Sequence, residues 1–303
     1  MLRRPAFIDW LTLAGLVIAW GSSFVMTKIA VAHLDASWIM ALRLCVAGAF
    51  LVCVLMISGT ALPRDKGLWR WFTGLGFLGH AAPFFLITWG THYVSSGVSG
   101  VLMGAIPLLV IVLAHFFLPD EPATPPKALG FVIGLAGLFI VLGPEKLSNF
   151  SAERDALMGE LAILAGCVCY AIHGLFARRI PFKGPLEQSA AVCFAGGAMG
   201  VAFATAASPS GLTGAPWFAY LAVAGLGILP TAIGTLLMYR IMRTVGVSFV
   251  AYSNYLVPVY ALAFGALTLG ETLHWNVALG LALILAGIAA SRLKLGTTGD
   301  IVT

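Results

Sequence analysis

Short polar breaks divide the chain into ten apolar stretches, each close to the roughly 20 residues that a helix needs to cross a bilayer. Of the 303 residues, 60% are hydrophobic and 10% are charged, against about 25% charged residues in soluble domains. The stretches leave little chain for a separate soluble domain. The sequence therefore predicts an all-α integral membrane protein with ten transmembrane helices, at 9–32, 36–58, 68–90, 95–117, 126–143, 159–180, 186–207, 215–240, 246–268 and 273–292.

The positive residues predict how these helices are oriented. If the N-terminus is cytoplasmic, most of the 17 Lys and Arg residues fall in cytoplasmic breaks, beginning with Arg3 and Arg4. The breaks on the other side then hold only Lys146 and Arg154. This bias follows the positive-inside rule, so we expect a multi-pass protein of the plasma (bacterial inner) membrane with both termini cytoplasmic. We therefore attribute the net charge of +5 to the orientation of the helices in the membrane, and we expect no nucleic-acid partner.

An internal repeat divides the chain into halves. Matching residues recur at an offset of 150 or 151 positions: Glu121 with Glu271, Gly130 with Gly280, Gly137 with Gly287, Trp20 with Tyr170, Lys28 with Arg178, and Pro107 with Pro258. Five helices in each half, an odd number, force the second half to enter the membrane the other way up. We predict a first repeat at 1–145, a second, inverted repeat at 156–295, and a short cytoplasmic tail at 296–303.

Inverted repeats of this kind are typical of secondary transporters. In such proteins the substrate lies near the midplane between the halves, and rocking of one half against the other exposes it alternately to the two sides. The repeat therefore favours a transport function.

Four motifs carry a family resemblance: Ala19-Trp20-Gly21-Ser22-Ser23-Phe24, Ala41-Leu42-Arg43, the Pro107 helix leading to Asp120-Glu121, and Tyr255-Leu256-Val257-Pro258 leading to Leu269-Gly270-Glu271. Their order and spacing resemble the EamA branch of the drug/metabolite transporter superfamily over essentially the whole chain. The resemblance implies an exporter fold of two inverted five-helix repeats. It also implies export of amino acids, including aromatic ones, or of related metabolites and drugs, without a bound cofactor.

A transport pathway should be lined by aromatic, small and hydrogen-bonding side chains. Such residues occur at helical spacing in several of the predicted helices, although ordinary helix packing would produce the same spacing. A Tyr or Trp offers an apolar wall with one hydrogen bond, which favours amphiphilic amino acids over sugars. The candidate substrate-binding residues are Trp20, Ser23, Phe24, Arg43, His80, Phe84, Met103, Tyr170, His173, Tyr239, Tyr252 and Tyr255.

Arg43 is the one positive residue well inside a predicted helix. An unpaired charge there costs about 3 kcal/mol or more, so Arg43 must find acceptors or water. It could hold a substrate carboxylate, or it could be a structural latch on backbone carbonyls near the outer end of its helix. The latch is the favoured interpretation.

Histidines are the candidates for any proton coupling. No Asp or Glu lies at the middle of a predicted helix, so a carboxylate relay is unsupported. His80 and His173 could titrate, since histidine does so near neutral pH. The favoured interpretation is a neutral, hydrogen-bonding His80 and facilitated or uncoupled export.

Prolines and glycines predict irregularities and close contacts. Pro107 and Pro258 should kink the fourth and ninth helices and free carbonyls for a cavity, with simple packing kinks as the alternative. Glycines of the fifth and tenth helices predict close helix contacts or a dimer face: Gly130, Gly134, Gly137, Gly280 and Gly287. We expect a monomer or weak homodimer. Glu121 and Glu271 are expected to be solvated charges that flank helices.

Two other functions compete with transport. Gly97-Val98-Ser99-Gly100 matches the short nucleophile pattern of an intramembrane serine protease, for which His80 or His173 could serve as base. A channel is the second alternative, but no ring of charges or repeated carbonyl loop is visible. A protease does not explain the repeat. We therefore expect a secondary transporter that exports small amphiphilic metabolites by alternating access, with no enzymatic activity, metal or cofactor.

Overall fold

The computed structural model describes residues 3–117, 124–143, 150–177 and 184–291, and in this part of the chain every regular element is a helix. The predicted positions of Asp120, Glu121 and Arg178 and the predicted tail at 296–303 lie outside these residues. The helices are α1 (Phe7–Val31), α2 (Ala36–Ile57), α3 (Lys66–Tyr93), α4 (Ser96–Phe117), α5 (Pro125–Leu142), α6 (Phe150–Ala177), α7 (Pro185–Ala207), α8 (Trp217–Thr244), α9 in two pieces (Val247–Val250 and Ser253–Leu269) and α10 (Trp275–Ala290).

The predicted ten-helix membrane fold is confirmed. Within the described residues, eight helices are long and apolar enough to cross a bilayer, and Ser253–Leu269 and Trp275–Ala290 are shorter apolar helices. The predicted boundaries agree with the structure within a few residues, except that α6 begins at Phe150 instead of 159. Hydropathy missed this first part of α6 because it contains Glu153, Arg154 and Asp155.

The first helix of each half packs mainly against helices of the other half. α1 packs against α8 and α9 of the second half, and α6 packs in the same way against α3 and α4 of the first half. Each first helix therefore packs mainly against the opposite half, and the interface between the halves runs through the middle of the bundle.

Two further pairs join the halves at close range, α2 with α7 and α5 with α10. In the second pair, a Cβ added at Gly137 would lie 2.7 Å from the carbonyl oxygen of Gly280, and one at Gly130 would meet the carbonyl oxygen of Gly287. These four glycines are buried. They therefore form an intramolecular helix contact, and the alternative of a dimer face is wrong for them.

Irregular backbone occurs at corresponding places in the two halves. α3 contains a π-helical stretch at Phe77–Ala81 and α8 contains one at Gly227–Ile233, which starts 150 residues later. α4 is interrupted at Met103–Gly104, and α9 is interrupted at Ala251–Tyr252. Discontinuous helices in matching positions of inverted repeats are typical of the binding region in transporters, and π-helical turns are frequent at functional sites.

Prolines account for part of this irregularity. Pro107 cannot donate to the carbonyl of Met103, and α4 is interrupted at that residue. Pro230 lies inside the π-helical stretch of α8 and has no backbone N–H to donate to the carbonyl oxygen of Leu226. This oxygen instead accepts a hydrogen bond of 2.8 Å from the Thr231 hydroxyl. Pro258 lies inside the second piece of α9, five residues after that piece begins at Ser253.

Candidate functional site

A cavity of about 400 Å³ lies between the two halves. This volume falls in the range of about 300–1,000 Å³ that is usual for small-molecule sites. Its walls come from α1, α2, α3, α4, α6, α7, α8 and α9. Eleven residues singled out from the sequence line it: Trp20, Ser23, Phe24, Arg43, His80, Phe84, Met103, Tyr170, His173, Tyr239 and Pro258.

Among the described residues, the lining of the cavity extends toward one end of the bundle and stops short of the other. We call the end where α1 begins and α6 finishes the N-terminal end, and the end where α1 finishes and α2 begins the opposite end. Toward the N-terminal end the lining includes Ala177, the last residue of α6, and Gln188 in the first turn of α7. Toward the opposite end it stops at Phe24, Arg43 and Met103, which at 1.5 Å per residue lie about 10 Å from their helix ends.

Glu271 ties the two halves together at the opposite end. Its carboxylate accepts hydrogen bonds from the backbone N–H of Ser96 at 2.6 Å, the hydroxyl of Ser96 at 3.0 Å and the backbone N–H of Gly97 at 2.9 Å. A carboxylate at a helix N-terminus satisfies free N–H groups and interacts favourably with the helix dipole. The expectation of a solvated flanking charge is therefore wrong, because Glu271 caps the start of α4.

Lys28 makes a second set of contacts at the same end. Its ammonium group donates to the carbonyl oxygens of Thr91 at 2.9 Å, His92 at 3.1 Å and Val94 at 2.7 Å. These carbonyls lie at the end of α3, where a helix leaves its acceptors without intrahelical partners. The end of α1 is thus held to the end of α3, and the cavity has no described opening on this side.

Arg43 lies at the floor of the cavity, with 9% of its surface exposed. Its Nε donates to the hydroxyl of Thr231 at 2.8 Å, and its guanidinium carbon lies 3.7 Å from the centre of the Phe84 ring. The favoured expectation of a latch on backbone carbonyls is wrong, because these partners are a hydroxyl and an aromatic face. The two terminal NH₂ groups make no hydrogen bond within the described residues.

Aromatic rings from both halves surround Arg43. The Phe84 ring lies 5.5 Å from His80 and 6.4 Å from Tyr170, between ring centres, and His80 lies 6.3 Å from His173. These four side chains meet edge to face, an arrangement that aromatic pairs prefer. They form a wall that both halves contribute to.

Each half also places an aromatic side chain on the π-helical stretch of the other. The indole Nε1 of Trp20 donates to the carbonyl oxygen of Pro230 at 3.2 Å, and a Cβ at Gly234 would lie 2.7 Å from this nitrogen. From the second half, the ring of His173 lies directly on Gly79 in the π-helical stretch of α3. The irregular helices therefore build the cavity wall together with the first helix of each half.

Three sequence-predicted residues do not line the cavity. Tyr252 is 48% exposed and contacts Trp10 and Phe249, Tyr255 packs against the apolar core around α4, and Pro107 lies within α4. The predicted pathway positions of Tyr252 and Tyr255 are wrong because these residues lie on the face of α9 that points away from the cavity. The residues that face the cavity are Ser253, Asn254, Val257 and Pro258.

The sequence reasoning missed several lining residues. They share a polar side chain or a proline inside an apolar stretch: Gln188, Ser189, Pro230, Thr231, Thr235, Ser253 and Asn254. Pro230, in the middle of the eighth stretch, was a visible signal. Which face of each helix points inward could not be read, because nearly every face of these helices is apolar.

Ser99 lies away from the cavity and is fully buried. Its hydroxyl donates to the carbonyl oxygen of Ser95 at 3.1 Å and lies 3.0 Å from the hydroxyl of Thr91. No histidine contacts it in the described part of the chain, so the arrangement expected of a protease nucleophile is not formed. The described residues also hold no group of three or more His, Cys, Asp or Glu side chains suited to a metal ion.

Comparisons with known proteins agree with this architecture. The sequence pattern of the EamA-like transporter family matches residues 8–143 and 157–293, one match in each half. The chain is 29% identical to the uncharacterized transporter YoaV of Bacillus subtilis (strain 168) over 291 residues, which cover 92% of this chain and 94% of that protein. It is 26% identical to a probable terminal-alkyne amino-acid exporter of Streptantibioticus cattleyicolor, over 90% of this chain and 89% of that protein.

A solved structure shares the fold. It is a crystal structure of a protein with 22% sequence identity, and it superposes with a TM-score of 0.65 over 94% of this chain and 97% of the other. At this level of identity the likeness concerns the arrangement of the helices alone.

Proposed function

The chain belongs to the EamA-like transporter family, and on that premise we propose that it exports small amphiphilic metabolites, foremost amino acids with aromatic or other hydrophobic side chains. In this proposal, solute enters the cavity from the N-terminal end of the bundle. The distribution of Lys and Arg favours a cytoplasmic position for that end. Rocking of the halves then closes it and opens the opposite end.

One observation carries the proposal: the cavity lies between the two inverted halves, reaches one end of the bundle and stops about 10 Å short of the other. A carrier in one of its two states has this form. A channel would need a path through both ends, and the contacts of Lys28 and Glu271 occupy the opposite end. The geometry therefore favours alternating access over a continuous pore.

The walls favour the substrate class. Trp20, Phe24, Met103 and Val257 offer apolar surface, and hydroxyl and amide groups such as those of Ser23 and Asn254 are interspersed. Such a site suits a solute with a hydrophobic side chain and a polar head. The similarity to a probable terminal-alkyne amino-acid exporter points to the same class.

Flux into liposomes tests this function. Purified protein would be reconstituted and supplied with labelled phenylalanine, leucine, tyrosine or glucose, with protein-free liposomes as the control. We expect saturable flux of the hydrophobic amino acids, suppressed by an excess of the unlabelled compound, and no flux of glucose. Flux of glucose without flux of any amphiphilic metabolite would contradict the proposal.

A further inference from the structure

Arg43 is the one formally charged side chain among the described residues that line the cavity. It is more than nine-tenths buried, and it lies in no ion pair within the described chain, where the single salt bridge joins Arg3 and Asp9. A buried guanidinium without an acidic partner is costly. Arg43 is therefore poised to gain free energy from an anion that enters the cavity.

The surroundings of Arg43 fix which edge of the guanidinium can receive that anion. Nε is occupied by the Thr231 hydroxyl, and one face of the planar group is covered by Phe84. The Thr231 hydroxyl in turn donates to the carbonyl oxygen of Leu226 at 2.8 Å, so its lone pairs point toward Nε of Arg43. The edge that remains carries the two terminal NH₂ groups, whose parallel N–H bonds match the two oxygens of a carboxylate.

We propose that Arg43 is the carboxylate anchor of the transported solute, so that the protein selects monocarboxylates with an apolar side chain, amino acids included, over amines and cationic drugs that lack a carboxylate. This inference rests on the proposed function and narrows its substrate class. In the bound state the carboxylate lies end-on against the two NH₂ groups of Arg43. The apolar part extends toward Trp20, Phe24 and Met103, which line the same cavity. An amine that lacks a carboxylate cannot pair with Arg43, and no described lining residue is an acid that could pair with its ammonium group.

Matched pairs of compounds that differ only in the carboxyl group test this inference. The pairs are phenylalanine and phenylalaninamide, leucine and leucinamide, and 3-phenylpropanoate and 3-phenylpropanamide. Each compound would be tested for its ability to inhibit and to undergo transport in proteoliposomes that contain the wild-type protein. We expect each acid to be at least tenfold more effective than its amide.

Variants locate the discrimination at Arg43. Arg43→Gln should reduce the difference between acid and amide to less than threefold. Arg43→Lys should give an intermediate value, because an ammonium keeps the charge but not the planar fork. Arg70→Gln is the matched control, since Arg70 is exposed and lies outside the cavity, and it should keep the wild-type preference.

The outcomes separate this inference from the proposed function. Equal transport of acids and amides by the wild type, or an unchanged preference in Arg43→Gln, would overturn the carboxylate anchor and leave the exporter intact. Absence of flux for every amphiphilic solute would instead contradict the exporter. If Arg43→Gln fails to fold, the variant Thr231→Val tests the inference instead. Because this variant removes the hydrogen-bond partner of Nε, we expect the preference for acids over amides to fall at least twofold. An unchanged preference would overturn the inference.

Discussion

The carboxylate of Glu271 accepts a hydrogen bond of 2.6 Å from the backbone N–H of Ser96, which lies 175 residues earlier in the chain and in the other half of the molecule. With the bonds from the Ser96 hydroxyl and the Gly97 amide, it fastens the segment between α9 and α10 onto the start of α4. The opposite end cannot open by separation of the halves unless these bonds break. Glu271 therefore contributes to the free-energy difference between the two states of the carrier.

Glu271→Gln should loosen the opposite end. Hydrogen bonds to charged groups contribute about 1.5–3 kcal/mol, so their weakening should shift opening by roughly tenfold. Hydrogen–deuterium exchange in nanodiscs would measure this in a peptide that covers residues 94–102, where faster exchange is expected. Glu153→Gln, an exposed acid at the same end, is the control and should leave exchange in that peptide unchanged. Equal exchange in wild type and Glu271→Gln would contradict the role given to this carboxylate.

Lys28→Met should destabilise the structure seen here. The ammonium group satisfies three carbonyls at the end of α3, and methionine fills similar space without donating. We expect a loss of about 2 kcal/mol, with partial recovery in Lys28→Arg. The thermal midpoint of the detergent-solubilised protein, followed by size-exclusion fluorescence, measures it. A midpoint within experimental error of the wild type would show that the three contacts contribute nothing.

Trp20→Phe should lower transport while expression is kept. The substitution removes the hydrogen bond from Nε1 to the Pro230 carbonyl but keeps an aromatic ring in the cavity wall. We expect a decrease of roughly threefold to tenfold in flux, in line with about 1 kcal/mol for one hydrogen bond. Trp275→Phe, which is exposed at the start of α10, is the control and should transport normally. The two variants behaving alike would argue against a role of Trp20 in the pathway.

Gly137→Ala should disrupt the contact between α5 and α10. The added Cβ would lie 2.7 Å from the Gly280 carbonyl oxygen, so one helix must move, at a cost of about 1–3 kcal/mol. The same change at Gly74, where an added Cβ meets nothing within 4 Å, should be neutral or slightly stabilising. Thermal midpoints of the two purified variants make the comparison. Equal midpoints would contradict the close packing.

The fold was largely predictable from the sequence, because its determinants are local or repeat along the chain. A transmembrane helix can be recognised in the sequence by about 20 consecutive apolar residues, and the inverted arrangement follows from the odd number of five helices in each half. The site was harder, because its geometry depends on residues that meet from distant parts of the chain. Arg43 was visible as a charge within an apolar stretch, but its partner Thr231 lies 188 positions away.

The choice of helix face caused one principal error. Tyr252 and Tyr255 were expected in the pathway because they are aromatic residues at helical spacing, but α9 turns Ser253, Asn254, Val257 and Pro258 toward the cavity. Nearly every face of these helices is apolar, so the pattern alone does not distinguish the inner face. Glu271 was misjudged because a charge beside a helix end is usually solvated, and its partners at Ser96 and Gly97 are set by tertiary structure alone.

Counterflow in proteoliposomes tests the central claim of alternating access most directly. Liposomes loaded with unlabelled phenylalanine would be diluted into a medium that contains a trace of the labelled compound. We predict that the label accumulates transiently inside above its external concentration, because unlabelled phenylalanine inside competes with the label for the carrier and slows its exit. Label that merely equilibrates, at a rate independent of the solute inside, would contradict alternating access and indicate a pore.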